Sequence, residues 1–131
     1  MPATPSVSTS APPPLRILVA DDDTVFATAV SGLLRRLGHR VEAVGTGREA
    51  VCAAMIREYD IMFLDILMPE LGGIEAARSI RERFPEGRSP FIIGLSAERD
   101  PEEFPSATGM DHFLVKPVCL ADLVQVLTHP V

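Results

Sequence analysis

Side chains able to do chemistry fall at the ends of short apolar runs. Asp21, Asp22 and Asp23 follow the run at 15–20, Asp65 follows 61–64, Ser96 follows 91–95, and Lys116-Pro117 follow 113–115. Carboxylates brought close together repel unless they are protonated or bound to a cation. A hard divalent ion, Mg2+ or Mn2+, removes that repulsion and accepts one or two carboxylates together with waters and a phosphate oxygen. Acids, a hydroxyl and an ammonium group at one place suit phosphoryl transfer, where a protein mainly positions groups and cancels charge. Asp65 is then the nucleophile and forms an acyl phosphate. Asp22 holds the cation directly, Asp21 does so directly or through water, Asp65 contributes an oxygen, and the backbone carbonyl of Leu67 is a further ligand. Lys116 acts as a point charge on the phosphoryl group, and Ser96 hydrogen-bonds it.

The elements between these residues must bring them together. The runs at 17–20, 61–64 and 91–95 are continuously apolar, as in strands buried on both faces, whereas 40–44 alternates, as at an edge. Between them, apolar residues recur at helical spacing: Val25, Phe26, Ala29, Val30, Leu33, Leu34 and Leu37, then Ile74, Ala77, Ile80 or Arg81 and Phe84, and finally Leu120, Leu123, Val124 and Leu127. Thr46-Gly47-Arg48-Glu49 has the form of a capping box. Strand and helix alternating five times predict an α/β fold, a single doubly wound five-stranded parallel sheet of order 2-1-3-4-5, flavodoxin-like. The site of such a sheet lies beyond the carboxyl ends of its strands, where the reactive residues fall. Ser96 and Lys116 are 20 residues apart, and Pro101 and Pro105 lie between them. Asp100 and Pro101 suit a helix start, but Pro105 comes too soon, so a shortened or irregular fourth helix is expected there.

Bulk properties narrow the function. The chain has 131 residues, 47% hydrophobic, and a formal net charge of −6. That balance argues against nucleic acid, whose binding rests on Lys and Arg. No apolar run approaches the roughly 18 residues needed to span a bilayer, and no signal peptide is evident, so a cytoplasmic protein without membrane contact is expected. Cys52 and Cys119 lack metal-ligand spacing and read as two small buried thiols. Residues 1–14 are, apart from Met1 and Val7, Pro, Ser, Thr and Ala without charged side chains, and read as a disordered tail ahead of a domain at 15–131.

The stretches Ile17-Leu18-Val19-Ala20-Asp21-Asp22-Asp23, Leu64-Asp65-Ile66-Leu67-Met68-Pro69-Glu70-Leu71-Gly72-Gly73, Leu95-Ser96-Ala97 and Val115-Lys116-Pro117 resemble, in order and spacing, the signatures of response-regulator receiver domains, the CheY-like family. Gly109-Met110-Asp111-His112-Phe113 looks most like receivers of hybrid histidine kinases. The resemblance implies a two-component phosphoacceptor. Its donor would be a sensor histidine kinase or a histidine phosphotransfer domain, its downstream partner is an unnamed protein, and it would be a monomer or weak dimer. It implies a switch made by Ser96 and Phe113, and a cis peptide between Lys116 and Pro117. Only 15 residues follow Lys116, so a stand-alone regulator, phosphate shuttle or sink is expected, and not an enzyme beyond its own phosphorylation and dephosphorylation. Two alternatives stand beside it. A phosphatase of the haloacid dehalogenase type would need an acid where Leu67 stands. A pseudo-receiver binding module would lack one of the acid, hydroxyl or Lys positions. Asp23 reads as a helix cap, and Met68 and Pro69 as turn residues. His39, His112 and His129 read as surface or turn histidines, and Arg78, Arg81, Arg83 and Arg88 as the solvated end of a helix.

Overall fold

The computed structural model describes residues 13–85, 87–97 and 109–128. Five strands, β1 (Arg16–Ala20), β2 (Arg40–Val44), β3 (Ile61–Asp65), β4 (Phe91–Ser96) and β5 (His112–Val115), form one sheet of order β2-β1-β3-β4-β5. All four pairings are parallel. The helices among the described residues are α1 (Thr24–Arg36), α2 (Gly47–Ile56), α3 (Gly73–Arg83) and, after β5, α4 (Leu120–Thr128). The architecture expected from the alternating pattern is therefore the one observed. The expected shortened fourth helix, between Ser96 and β5, lies outside the described residues, as does most of the expected tail.

Helices cover both faces, which is why β1, β3 and β4 are apolar at nearly every position. Ile17, Val19, Ile61, Phe63, Ile93 and Leu95 pack with Ala27, Val30 and Leu34 of α1 and Leu123 and Val126 of α4. The alternate residues Leu18, Ala20, Met62, Leu64 and Ile92 pack with Ala50, Ala54, Ala76, Ala77 and Ile80 of α2 and α3. Each fully buried Leu, Ile or Phe contributes about 1.5–3 kcal/mol, so the three central strands and the helices packed over them carry much of the burial among the described residues.

The helix ends follow their sequence signals. Asp23 Oδ1 accepts hydrogen bonds from the Val25 and Phe26 N–H groups, 3.1 Å each, capping α1. Thr46 Oγ1 accepts from Glu49 N–H at 3.1 Å, and Glu49 reaches back to Gly45 N–H at 3.0 Å, one residue before the expected partner.

Several side chains sit where sequence periodicity did not put them. Val25, Ala29, Leu37, Leu120 and Val124 are exposed, because the buried stripes run through Ala27, Val30, Ser31 and Leu34 in α1 and through Leu123 and Val126 in α4. Cys52 and Cys119 are free thiols but exposed rather than buried. Arg78, Arg83 and Arg88 are exposed as expected, but Arg81 is not a solvated end. Its guanidinium donates to Gly109 O at 2.8 Å and Pro90 O at 2.9 Å, and also to Ser89 Oγ and the Asp111 carboxylate. Asp111 in turn accepts from Ile92 N–H at 2.8 Å. This clamp ties α3 to the start of β4 and to the chain leading into β5. His39 is likewise buried, and its Nδ1 accepts the Leu15 N–H at 3.0 Å. His112 is exposed, and His129 lies outside the described residues.

Two predictions come from this packing. The bare backbone of Gly94 is the seat of two side chains: a Cβ there would stand 2.5 Å from Met110 Sδ and 2.7 Å from Phe113 Cε1. Gly94→Ala should therefore destabilise by about 1–3 kcal/mol, read from the urea midpoint; an unchanged midpoint would show that the seat is not tight. Burial holds the His39 pKa below its usual 6.5, and the neutral ring is the form that can accept the Leu15 N–H. As pH falls below that value the unfolded chain takes up a proton that the folded chain refuses, so this contribution to stability is present above it and lost on acidification. In His39→Gln the fall of stability between about pH 6.5 and pH 5 should be shallower than in the wild type, checked by denaturant titration at each pH.

Candidate functional site

The carboxyl ends of β1, β3, β4 and β5 bring the expected residues to one rim. Asp21 is fixed just past β1 by its N–H, which donates to Val44 O at 3.0 Å, and its own Oδ1 accepts from Asp23 N–H at 2.9 Å. Asp65 is the last residue of β3, and the next N–H, of Ile66, is held by Leu95 O at 3.0 Å. Ser96 ends β4 and is buried, while its carbonyl accepts the Lys116 N–H at 2.8 Å. Lys116 is the only lysine of the chain. Its Nζ lies 2.8 Å from Asp21 Oδ2 and 3.5 Å from Asp65 Oδ1. The Lys116–Pro117 peptide bond is cis.

Carboxylate oxygens of Asp21, Asp22 and Asp65 all lie within 4.8 Å of one another. Asp21 and Asp65 are buried and Asp22 is exposed, so the cluster opens to solvent on one side. Burial, then the charge of Asp21, push the Asp65 carboxyl up from 3.8 to about 6, against the opposing pull of Lys116 and the Leu67 N–H. Burial pulls the Lys116 ammonium down, but the hydrogen bond to Asp21 and the charges of Asp65 and Asp21 outweigh it and raise its pKa. Three ionised carboxylates against one ammonium leave two uncompensated negative charges. All-oxygen ligands carrying that residual charge fit a hard divalent cation. Asp21, Asp22 and Asp65 are the side chains that would hold it. Asp23 is turned away to cap α1.

The loop from Asp65 to α3 is held by close backbone contacts. Gly73 N–H donates to Ile66 O at 3.0 Å, and a Cβ on Gly73 would stand 2.2 Å from Asp65 O. A Cβ on Gly47, at the start of α2, would stand 2.0 Å from Leu71 O. Glu70 takes a left-handed conformation at φ 71° to make the turn, which costs a non-glycine residue roughly 1 kcal/mol. Phe113 is half-buried, its ring lying over Gly94 two residues before Ser96.

Sequence reasoning missed three features of this rim. Val25 and Leu67 are each 79% exposed, and they follow Asp22 and Asp65 closely in the chain. Phe26 packs against the core as its spacing suggests, but its ring centroid also lies 4.5 Å from Lys116 Nζ. Gly47 serves the site from a helix that carries none of its reactive groups. Helical spacing alone cannot separate a first-turn residue facing the rim from one facing the core. Cavities of about 540 and 550 Å³ lie at the opposite end of the sheet, around Phe84, Pro85 and Pro90, and include none of the reactive residues.

Known proteins place this geometry. Residues 17–128 match the family model described as the response regulator receiver domain. The chain is 30% identical over 117 residues to the aerobic respiration control sensor protein ArcB of Escherichia coli, covering 88% of this chain but 15% of that protein. Among solved structures it resembles the receiver domain of the sensor histidine kinase PA1611 from Pseudomonas aeruginosa, which holds a magnesium ion in its active-site cleft. The TM-score is 0.78 at 35% identity, covering 88% of this chain and 96% of that one. It also resembles a chain of the Saccharomyces cerevisiae complex between the histidine phosphotransfer protein Ypd1 and the receiver domain of Ssk1, with a TM-score of 0.79 at 26% identity, covering 88% of each chain. With the sheet order, the acid cluster and the lysine already in place, the match across most of its length shows that the chain belongs to the response regulator receiver domain family of two-component signalling.

Proposed function

We propose that the chain accepts a phosphoryl group on Asp65 from a phosphohistidine, with Mg2+ or Mn2+ bound by Asp21, Asp22 and Asp65 and by the Leu67 carbonyl. The observation that carries this reading is Asp65 at the end of the central strand, with Lys116 Nζ at 3.5 Å and the other two acids within 4.8 Å. An Asp65 oxygen forms the new bond to phosphorus as the bond from phosphorus to imidazole nitrogen breaks, and the imidazole leaves with that electron pair. A pKa of about 6 leaves Asp65 mostly ionised, and so nucleophilic, at neutral pH. Lys116 meets the charge on the transferred oxygens, and Ser96 hydrogen-bonds one of them. The bound cation supplies further charge neutralisation and orients the phosphate.

The donor is a sensor histidine kinase or a histidine phosphotransfer domain, which would place the reaction in the cytoplasm. The complex of Ypd1 with the Ssk1 receiver supports that class of partner. So do the exposed Val25 and Leu67, apolar groups that follow Asp22 and Asp65 closely in the chain and that a partner can cover. The phosphorylated form acts as a shuttle or sink, or as a switch in which Ser96 moves toward the phosphoryl group and Phe113 repacks, with no enzymatic activity on other substrates. Against a phosphatase of the haloacid dehalogenase type stands Leu67, which cannot transfer a proton. Against a pseudo-receiver stands the complete set of acid, hydroxyl and lysine.

Intact-mass measurement after exposure to phosphoramidate and Mg2+ should show one phosphoryl adduct on the wild type and none on Asp65→Asn. Absence of an adduct on the wild type would favour the pseudo-receiver, and turnover of many equivalents of an organic phosphate would favour the hydrolase. The same variant carries a stability prediction. Because the folded value of about 6 lies above the usual 3.8, ionising Asp65 costs stability as pH rises through that window. Without divalent cation, Asp65→Asn should be more stable than the wild type at pH 7.5 by about 1–3 kcal/mol, a range reduced for partial solvent screening. The gain should vanish below about pH 4 and shrink when Mg2+ stabilises the wild type. Denaturant titrations with chelator and with Mg2+ check both.

A further inference from the structure

Lys116 Nζ has three neighbours of different kinds: Asp21 Oδ2 at 2.8 Å, Asp65 Oδ1 at 3.5 Å, and the face of the Phe26 ring at 4.5 Å from its centroid. The two carboxylates are also the groups a divalent cation would draw on. As their oxygens turn to a cation, their hold on the ammonium weakens, and the cation itself repels it. The ring is different. Its quadrupole attracts an ammonium group, and an oxygen-seeking divalent ion does not compete for it. Phe26 is also firmly placed. Its N–H donates to Asp23 Oδ1 at 3.1 Å, in the capped first turn of α1, and its ring packs against the core layer beneath that helix.

We propose that Phe26 is a positioning residue, whose ring keeps the Lys116 ammonium beside the acceptor oxygen of Asp65 while the site is loaded with a divalent cation. The proposal rests on the phosphoacceptor reading of Asp65 for its kinetic consequence, but not for the contact itself. Held by the ring, the ammonium keeps its place as the carboxylates reorganise, and is ready to meet the incoming phosphoryl oxygens. Without the ring, Lys116 and the cation compete for the same two carboxylates.

Because Lys116 is the only lysine, growth on 13C,15N-lysine gives a single side-chain Cε–Hε signal in the full-length protein. In the wild type and in Phe26→Tyr this signal should be moved upfield by the ring current and stay so through a Mg2+ titration. In Phe26→Leu, which keeps an apolar group against the core, it should return to the ordinary position and shift further as Mg2+ is added. With phosphoramidate at saturating Mg2+, Phe26→Leu should be phosphorylated about three- to tenfold more slowly, with Phe26→Tyr and Phe26→Trp within about twofold of the wild type. A packing role alone would rank the variants by volume instead of by the presence of a π face. Wild-type rates in Phe26→Leu, a loss in Phe26→Tyr equal to that in Phe26→Leu, or a wild-type lysine signal that moves to its ordinary position on adding Mg2+ would each overturn the proposal. If the wild type itself takes no phosphoryl group, the phosphoacceptor reading fails, and the lysine signal still decides whether the ring holds the ammonium.

Discussion

Three carboxylates held within 4.8 Å of one another at the edge of a dry sheet repel strongly, and the rest of the molecule is arranged to keep them there. Asp21 and Asp65 cannot relax away because each continues a strand whose neighbours are buried on both faces. The cost of burying Asp65, and then of holding it beside Asp21, appears in its raised pKa, and Lys116 offsets part of it. What remains is an excess of negative charge among oxygen ligands, which fits a hard divalent cation.

The fold and the gathering of these residues at one rim were legible because both follow from one pattern. Continuous apolar runs mark strands covered on both sides, and in such a sheet the residue that follows each run reaches the same rim. The pattern alone therefore brings Asp21, Asp65, Ser96 and Lys116 together. Side chains governed by three-dimensional packing were harder. Val25 and Phe26 are adjacent, apolar and in one helical turn, yet one is exposed and the other lies beside the lysine. Arg81 looks like any basic residue near a helix end, and its role depends on Gly109 and Asp111, 28 and 30 residues away. His39 offered no partner in its local sequence because the partner is the backbone of Leu15.

The rim is also built with little freedom left to lose. Asp23 caps α1 and donates its own N–H to Asp21, so the helix start and the acid are set by one short hydrogen-bonded unit. Lys116 is fixed at the backbone through Ser96 O and at its tip by two acids and a ring. The Arg81 clamp anchors the chain leading into β5 from the other end. A site prepared in this way needs only small displacements to respond to a new charge, and such displacements pass readily through a tightly packed interior.

Gly47 and Gly73 bear on inheritance rather than chemistry. Neither has a functional group, yet the chain passes them so closely that a single added methyl would strike the carbonyl of Leu71 or of Asp65 itself. A census of tolerated substitutions would rank them beside the reactive acids, and a reader of that census would take them for participants in the reaction. What the fold requires at these positions is an empty space. An alanine at either position would thus disturb the loop after Asp65 without touching a single acid of the rim.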